Sequence, residues 1–198
     1  MRAFDATPVL RALRVGMCEA LGLETRVDTE DRRLLEALIL PACAARDECR
    51  RVLFVGCAAY TRGYERLFPG CEYLTIDPAP RRRRYGAMRH IVAGLQDLDR
   101  HVAPGALDLV VCNGVFGWGL DTRADCDAAF AACGRALRPG GVLLLGWNDI
   151  PSRRPFPPET LAALQAFEPC CVPGLGATRV PTRTRNRHTF DAYARRCT

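Results

Sequence analysis

Lysine is absent from this 198-residue chain. All 28 of its basic residues are arginine, and serine occurs once, as Ser152. Ala, Arg, Pro and Gly are abundant instead, a bias that points to a GC-rich genome more than to selection for binding nucleic acid. The lone serine stands in Pro-Ser-Arg-Arg, outside any nucleophile elbow, which removes a serine hydrolase from consideration. No Cys-x-x-Cys pair exists, and the adjacent Cys170-Cys171 lacks zinc-ligand spacing, so no metal site is expected. The eleven cysteines are an odd number. Cys112, Cys126 and Cys133 fall in predicted strands or on apolar helix faces, as small buried thiols do in a reduced, cytoplasmic protein. No apolar run reaches the ~18 residues of a membrane span. The N-terminal stretch MRAFDATPVLRALRVG has no continuous apolar segment, so no secretory signal is evident. Internal repeats and low-complexity linkers are also missing.

What is present suits one α/β domain. The length allows a proper core, and the hydrophobic fraction of 48% is ordinary for a globular protein. The stretch from Arg51 to Pro78, RVLFVGCAAYTRGYERLFPGCEYLTIDP, organises the rest. Val52 to Val55 form an apolar run suited to a parallel strand covered on both faces. Gly56 ends the run where the backbone must turn and a ligand could approach closely. Tyr60 to Phe68 is expected to form a short helix, stopped by Pro69-Gly70. Glu72 to Ile76 reads as the next strand, closed by Asp77. That acid follows Gly56 by 21 positions. The distance is close to the ~20 residues at which a doubly wound fold places an acid for ribose hydroxyls.

These residues resemble the class I S-adenosylmethionine (SAM)-dependent methyltransferases. The family's first motif runs acid-x-Gly-x-Gly-x-Gly. Here the same positions hold Phe54, Gly56, Ala58 and Tyr60, so only the first glycine is kept. The resemblance continues downstream. LDLVVCNGVFGWGLD (Leu107–Asp121) is similar to the family's fourth strand and substrate-side loop. ALRPGGVLLLGWND (Ala136–Asp149) is similar to its fifth, with the Arg-Pro-Gly-Gly turn before it. The resemblance implies a seven-stranded, mostly parallel, doubly wound sheet with an antiparallel last strand. N-terminal helices would cap it over residues 1–48, and the core would run over 49–198 as part of a single domain.

In chain order, Thr29-Glu30-Asp31 can start a helix whose Leu34, Leu35, Leu38 and Ile39 form an apolar stripe. Arg81–Arg84 are four arginines in a row. They read as a solvated face, with a 2′-phosphate clamp or a nucleic-acid patch as alternatives. A short third strand is expected at Arg89–Gly94. The turn Leu95-Gln96-Asp97 resembles the family's adenine contact, and Asp97 either reaches that ring or caps the next helical turn. Cys126, Ala129, Phe130, Cys133 and Leu137 share one face of a helix at Arg123–Leu137 and form a core stripe. A last helix is expected at Pro157–Phe167, then two β candidates near 171–181 and 187–194.

Parallel sheets bind ligands at the carboxyl ends of their strands. The resemblance places SAM there, with S-adenosylhomocysteine as product. It assigns the cofactor to Gly56, Cys57, Ala58, Tyr60, Asp77, Leu95, Gln96, Asp97 and Asn113. Tyr60 faces either the methionine carboxylate or the helix packing. Asn113, Asn148 and His188 are the candidates for catalysis, and Phe116, Trp118 and Trp147 for substrate contact. Because strand neighbours point to opposite faces, Trp147 and Asn148 cannot both face the crevice. The expected reaction is in-line methyl transfer to a small molecule, since no recognition domain is appended. Alternatives are another SAM-consuming reaction, a non-catalytic SAM-binding module, and a nucleic-acid methyltransferase. The last draws on the net charge of +6 but is disfavoured. No membrane partner is expected.

Overall fold

The computed structural model describes residues 7–21 and 23–197. Residues 1–6 of the expected cap lie outside that range. β1 (Arg51–Val55) is buried along four of its five positions, as its unbroken apolar run requires. It pairs in parallel with β2 (Glu72–Ile76) on one side and β4 (Leu107–Asn113) on the other. β3 (Arg89–Ile91) extends the sheet beyond β2 and stops short of the expected Gly94. β5 (Leu137–Asn148) runs parallel to β4. Asp108 ties the strand starts together, accepting from the Arg50 and Arg51 backbone N–H groups and pairing with Arg138.

Three further strands, β6 (Phe167–Cys170), β7 (Arg179–Pro181) and β8 (His188–Arg195), complete the order β3-β2-β1-β4-β5-β8-β6, with β7 also on β8. β8 is antiparallel to β5. β6 pairs with Ala192–Arg195 and β7 with Thr189–Asp191. The two therefore share one edge of β8 end to end, and eight strands fill seven positions. Between them lies Pro173-Gly174-Leu175-Gly176, with both glycines at positive φ, so the edge strand is interrupted.

Each face of the sheet is covered. On one, α4 (Arg123–Ala136) buries Cys126, Ala129, Phe130 and Cys133 completely. Thr122 caps its N-terminus by accepting from Asp125 N. On the other lie α2 (Glu30–Leu34), a π-helical segment (Leu35–Ile39) and α3 (Leu40–Ala44) in unbroken succession, preceded by α1 (Thr7–Leu21). Leu40 N–H donates to Leu35 O, five residues back, directly before Pro41, which has no N–H to continue the α pattern. The wider turn rotates the apolar face. Leu35, Ile39 and Leu40 are buried, while Leu38, expected inside, is 45% exposed. Thr29 precedes this helix without a side-chain capping bond.

Two expected α-helices are replaced by tighter turns. Between Tyr60 and Phe68 only Tyr64–Leu67 is helical, and as a 3₁₀ turn. The Thr61 hydroxyl accepts from Ala58 N and donates to Ala58 O, a local alternative to the helical ladder. Pro69-Gly70 then closes the segment. Over Pro157–Phe167 there are 3₁₀ turns at Pro158–Thr160 and Ala162–Ala166, separated by an extended Leu161, and Phe167 opens β6. Leu161, Leu164 and Phe167 are nevertheless buried, as expected. No helix among the described residues is long and apolar enough to cross a membrane.

Candidate active site

The carboxyl ends of β1, β2, β4 and β5 open onto one cleft of about 1070 Å³. At its centre is the turn after β1. Gly56 has φ +82°, which L side chains rarely adopt, and a Cβ there would press on the Val115 side chain at 3.0 Å. Cys57 N–H donates to Asp77 Oδ2 at 2.8 Å, and Ala79 N–H donates to Asp77 Oδ1 at 2.9 Å. The buried Asp77 carboxylate thus clamps both its own loop and the glycine turn, and keeps lone pairs for a ligand. Burial, reinforced by the Asp77 charge, pushes the Cys57 thiol up to about 12, so it stays protonated.

Leu95 and Gln96 line the cleft beyond Asp77. Asp97 does not. It pairs with Arg100 at 3.3 Å, and the residue at the cap position of its 3₁₀ turn is Gly94, so it is not the cap. Tyr60 lines the cleft with the Arg32 guanidinium 4.5 Å from its ring centroid. Arg32 also donates to Tyr64 OH, which donates to Glu36.

At the other end Asn113, Asn148 and His188 come together. Asn148 and His188 are register partners across β5 and β8, and Asn113 is opposite Gly146. His188 Nδ1 lies 2.8 Å from Asn148 Oδ1, and Nε2 lies 3.0 Å from Asn113 Oδ1. A Cβ on Gly146 would overlap the Asn113 amide and sit 2.9 Å from His188 Nε2, so the contact exists because position 146 is bare. Burial drives the His188 pKa down to about 4; Asp31 opposes this and Arg32 assists it. The imidazole is neutral at pH 7. The turn before it brings Thr184, Arg185 and Asn186 to the cleft, with Arg187 at φ 47°.

Of the three aromatic candidates only Trp118 lines the cleft; it is half exposed, and Arg153 stacks 3.3 Å from its ring centroid. Phe116 is fully buried, edge-on to Phe156 at 5.3 Å and to Trp147 at 6.3 Å. Trp147 is 3% exposed and donates its Nε1–H to Asp191 at 2.8 Å. Both belong to the core on the α4 face, because strand alternation turns Trp147 away when Asn148 faces the cleft. Arg81 and Arg82 border the cleft, and the other two arginines of the run do not. Among the described residues no cluster of His, Cys, Asp or Glu could hold a metal ion.

Sequence reading missed Thr61, Asp31, Arg32 and the Thr184–Asn186 turn. Thr61 was visible only as a polar residue three positions after Ala58. The others reach the cleft through tertiary packing and carry no local signal.

Residues 53–145 match the family model described as a methyltransferase domain. That span is just under half of the chain. SAM is the methyl donor of that family. The matched span runs from β1 into β5 and covers the Gly56–Asp77 end of the cleft, while Asn148 and His188 lie beyond it. No curated protein matches the sequence. Solved structures with the same fold include the N-methyltransferase NodS from Bradyrhizobium japonicum, at 19% identity and TM-score 0.64 over 86% of this chain and 99% of that one. Another is the Burkholderia thailandensis 1,6-didemethyltoxoflavin-N1-methyltransferase with its substrate and S-adenosylhomocysteine bound, at 20% identity and TM-score 0.56 over 98% and 90%. A third is the T. Thermophilus 16S rRNA N2 G1207 methyltransferase, at 19% identity and TM-score 0.51 over 80% of this chain and 39% of that one.

Proposed function

We propose that this methyltransferase acts in the cytoplasm on a small-molecule acceptor, with the whole chain forming one catalytic domain. The observation that carries this reading is one continuous cleft. It joins a glycine turn and a buried strand-end carboxylate at one end to a buried Asn-His-Asn cluster at the other. Its volume suits a nucleoside-sized ligand and a small acceptor together.

The chain's own residues fit SAM. Asp77 uses its remaining lone pairs on the ribose hydroxyls, while its bonds to Cys57 and Ala79 hold it in place. Leu95 and Gln96 flank the adenine. The backbone of Gly56–Ala58 passes beside the methionine portion, and Arg32, held against Tyr60, supplies a cation for its carboxylate. Trp118 walls the acceptor. The bound donor supplies an electrophilic methyl group on a sulfonium; the rest of the rate comes from alignment, worth up to roughly 7–11 kcal/mol. Calorimetry with S-adenosylhomocysteine tests the cofactor half, with saturable binding expected. Incubation with SAM and cell extract, followed by mass spectrometry, tests the reaction. Release of S-adenosylhomocysteine with a methylated product supports it, and methylthioadenosine would indicate another use of the donor.

A second reading, a nucleic-acid acceptor, is favoured by Arg81 and Arg82 at the cleft mouth. It requires binding that weakens steeply with salt. Changing Arg81 to Gln should leave turnover on a small acceptor intact and would depress it on a polyanion.

A further inference from the structure

Three loops meet at the His188 end of the cleft and carry positive charge that the cofactor leaves unused. They follow β4, follow β5 and precede β8. Residues 149–154 and 183–187 hold five arginines and a single acid, Asp149. Asp149 pairs with Arg154 at 2.8 Å and with Arg187 at 3.4 Å. Arg153 is engaged differently, stacked on Trp118. Gly117 has φ +77°, and a Cβ there would strike the Arg153 carbonyl, so these two loops lie in direct contact. Each is braced by its own backbone. Trp118 N–H donates to Val115 O at 2.9 Å, and Arg153 N–H donates to Ile150 O at 2.9 Å. Trp118 is therefore half exposed yet held in place. It lines the cleft and Arg153 does not, so the indole face that Arg153 leaves bare is turned to the cleft. Arg185 also lines the cleft and is exposed. Its guanidinium has no hydrogen bond or ion pair among the described residues.

The charged side chains lining the cleft are Asp31, Arg32, Asp77, Arg81, Arg82 and Arg185. Resting on the methyltransferase reading, we propose that the acceptor is a flat aromatic molecule carrying a carboxylate, with its ring on Trp118 and its carboxylate on Arg185. Asp77 and Arg32 serve the donor, and Asp31, beside Arg32 on α2, answers the donor's ammonium group. Arg81 and Arg82 stand at the Asp77 end. Arg185 is the cation left for the acceptor. Its planar fork matches a carboxylate in geometry and charge. The bare indole face stacks on a flat ring in an offset arrangement. A cationic acceptor would meet both Arg185 and the sulfonium with like charge. A nucleic-acid backbone would need several free cations. Arg153, Arg154 and Arg187 are already engaged, so this rim suits one anionic group.

The test is a titration of the protein, saturated with S-adenosylhomocysteine, with naphthalene-2-carboxylate and its neutral isostere naphthalene-2-carboxamide. Binding is followed by ¹H–¹⁵N NMR of the two indole N–H groups, Trp118 and Trp147, told apart by Trp118→Phe. The Trp118 signal should move and that of the buried Trp147 should stay. The carboxylate should bind about three- to fivefold more tightly than the carboxamide, as one partly exposed ion pair allows. In Arg185→Gln the two probes should bind alike, while Arg185→Lys should keep part of the preference. Trp118→Ala should weaken both probes by about three- to tenfold. A stationary Trp118 signal, equal affinities in the wild type, or a preference that survives Arg185→Gln would each overturn the proposal. If S-adenosylhomocysteine itself fails to bind, the methyltransferase reading fails. The same titration without it then still decides whether Trp118 and Arg185 recognise an aromatic anion.

Discussion

Asp77 does two jobs, and they have separable signatures. Its carboxylate holds the Cys57 and Ala79 backbone donors, and its free lone pairs face the cleft. Asp77→Ala should weaken S-adenosylhomocysteine binding by about 1.5–3 kcal/mol, roughly 10- to 150-fold, measured by calorimetry. It should also cost about 1–2 kcal/mol in stability from the two orphaned N–H groups, measured by urea unfolding. Unchanged affinity with lowered stability would reduce Asp77 to a loop clamp. His188 carries a pH signature. Its folded pKa is depressed from 6.5 to about 4, so the unfolded chain takes up the proton first as pH falls. Its contribution is complete above pH 6.5 and is lost as pH falls from there towards 4. At pH 5 the loss is on the order of 2 kcal/mol. Urea midpoints at pH 7 and 5 should therefore separate more for the wild type than for His188→Gln. Equal separations would mean that His188 is not held neutral by the fold.

β5 and β8 build the Asn113–Asn148–His188 end of the cleft through their register. Asn148 faces His188 across the pair, and Gly146, two residues back, leaves the gap through which the imidazole meets Asn113. Gly146→Ala places a methyl group in that gap. The Asn113 amide must rotate away, so turnover should fall at least roughly tenfold through lost alignment. Affinity for S-adenosylhomocysteine should stay within about threefold, because Gly56 and Asp77 are untouched. The cost in stability should be about 1–3 kcal/mol, as for other overpacking changes. Normal turnover at saturating acceptor would show that the His188–Asn113 contact is dispensable. The same pair of strands explains why only one of two adjacent candidates reaches the cleft. Asn148 faces it, and Trp147 is tied beneath to Asp191, which also holds Arg179 of β7 at 2.7 Å.

At the scale of the molecule, one cleft spans the carboxyl ends of four parallel strands and the turn before β8, while α2 closes its side with Asp31 and Arg32. A ligand there touches segments far apart in the chain, and it binds the folded state alone. S-Adenosylhomocysteine at 100 times its dissociation constant should add about 2.7 kcal/mol of stability, raising Tm by roughly 5–10 °C for a chain of this length. Differential scanning fluorimetry measures this directly. A null shift in the presence of saturating ligand would mean that the cleft does not bind the cofactor.

The sequence by itself determined the sheet. The apolar run at Val52–Val55 reads as a strand covered on both faces, the stretches at Leu107–Asn113 and Leu137–Asn148 resemble two strands of the family, and Gly56 and Asp77 mark where two of the strands end. Those are local signals, carried by residue type and spacing. The helical segments were less legible. Thr61 bonds locally to Ala58 in place of a helical ladder, and an extended Leu161 divides Pro157–Phe167 into two 3₁₀ turns, so a plausible apolar period did not give an α-helix in either segment. The split of the edge strand into β6 and β7, and the burial of Phe116 in place of exposure to substrate, depended on what packs against them. Only the tertiary structure decided the Asn-His-Asn end of the cleft. Asn113, Asn148 and His188 are 35 and 40 residues apart along the chain, and their meeting depends on β8 running back antiparallel beside β5 with Gly146 between them. No local pattern encodes a hydrogen bond between side chains on three strands, because register, direction and an empty position must all agree before it can form.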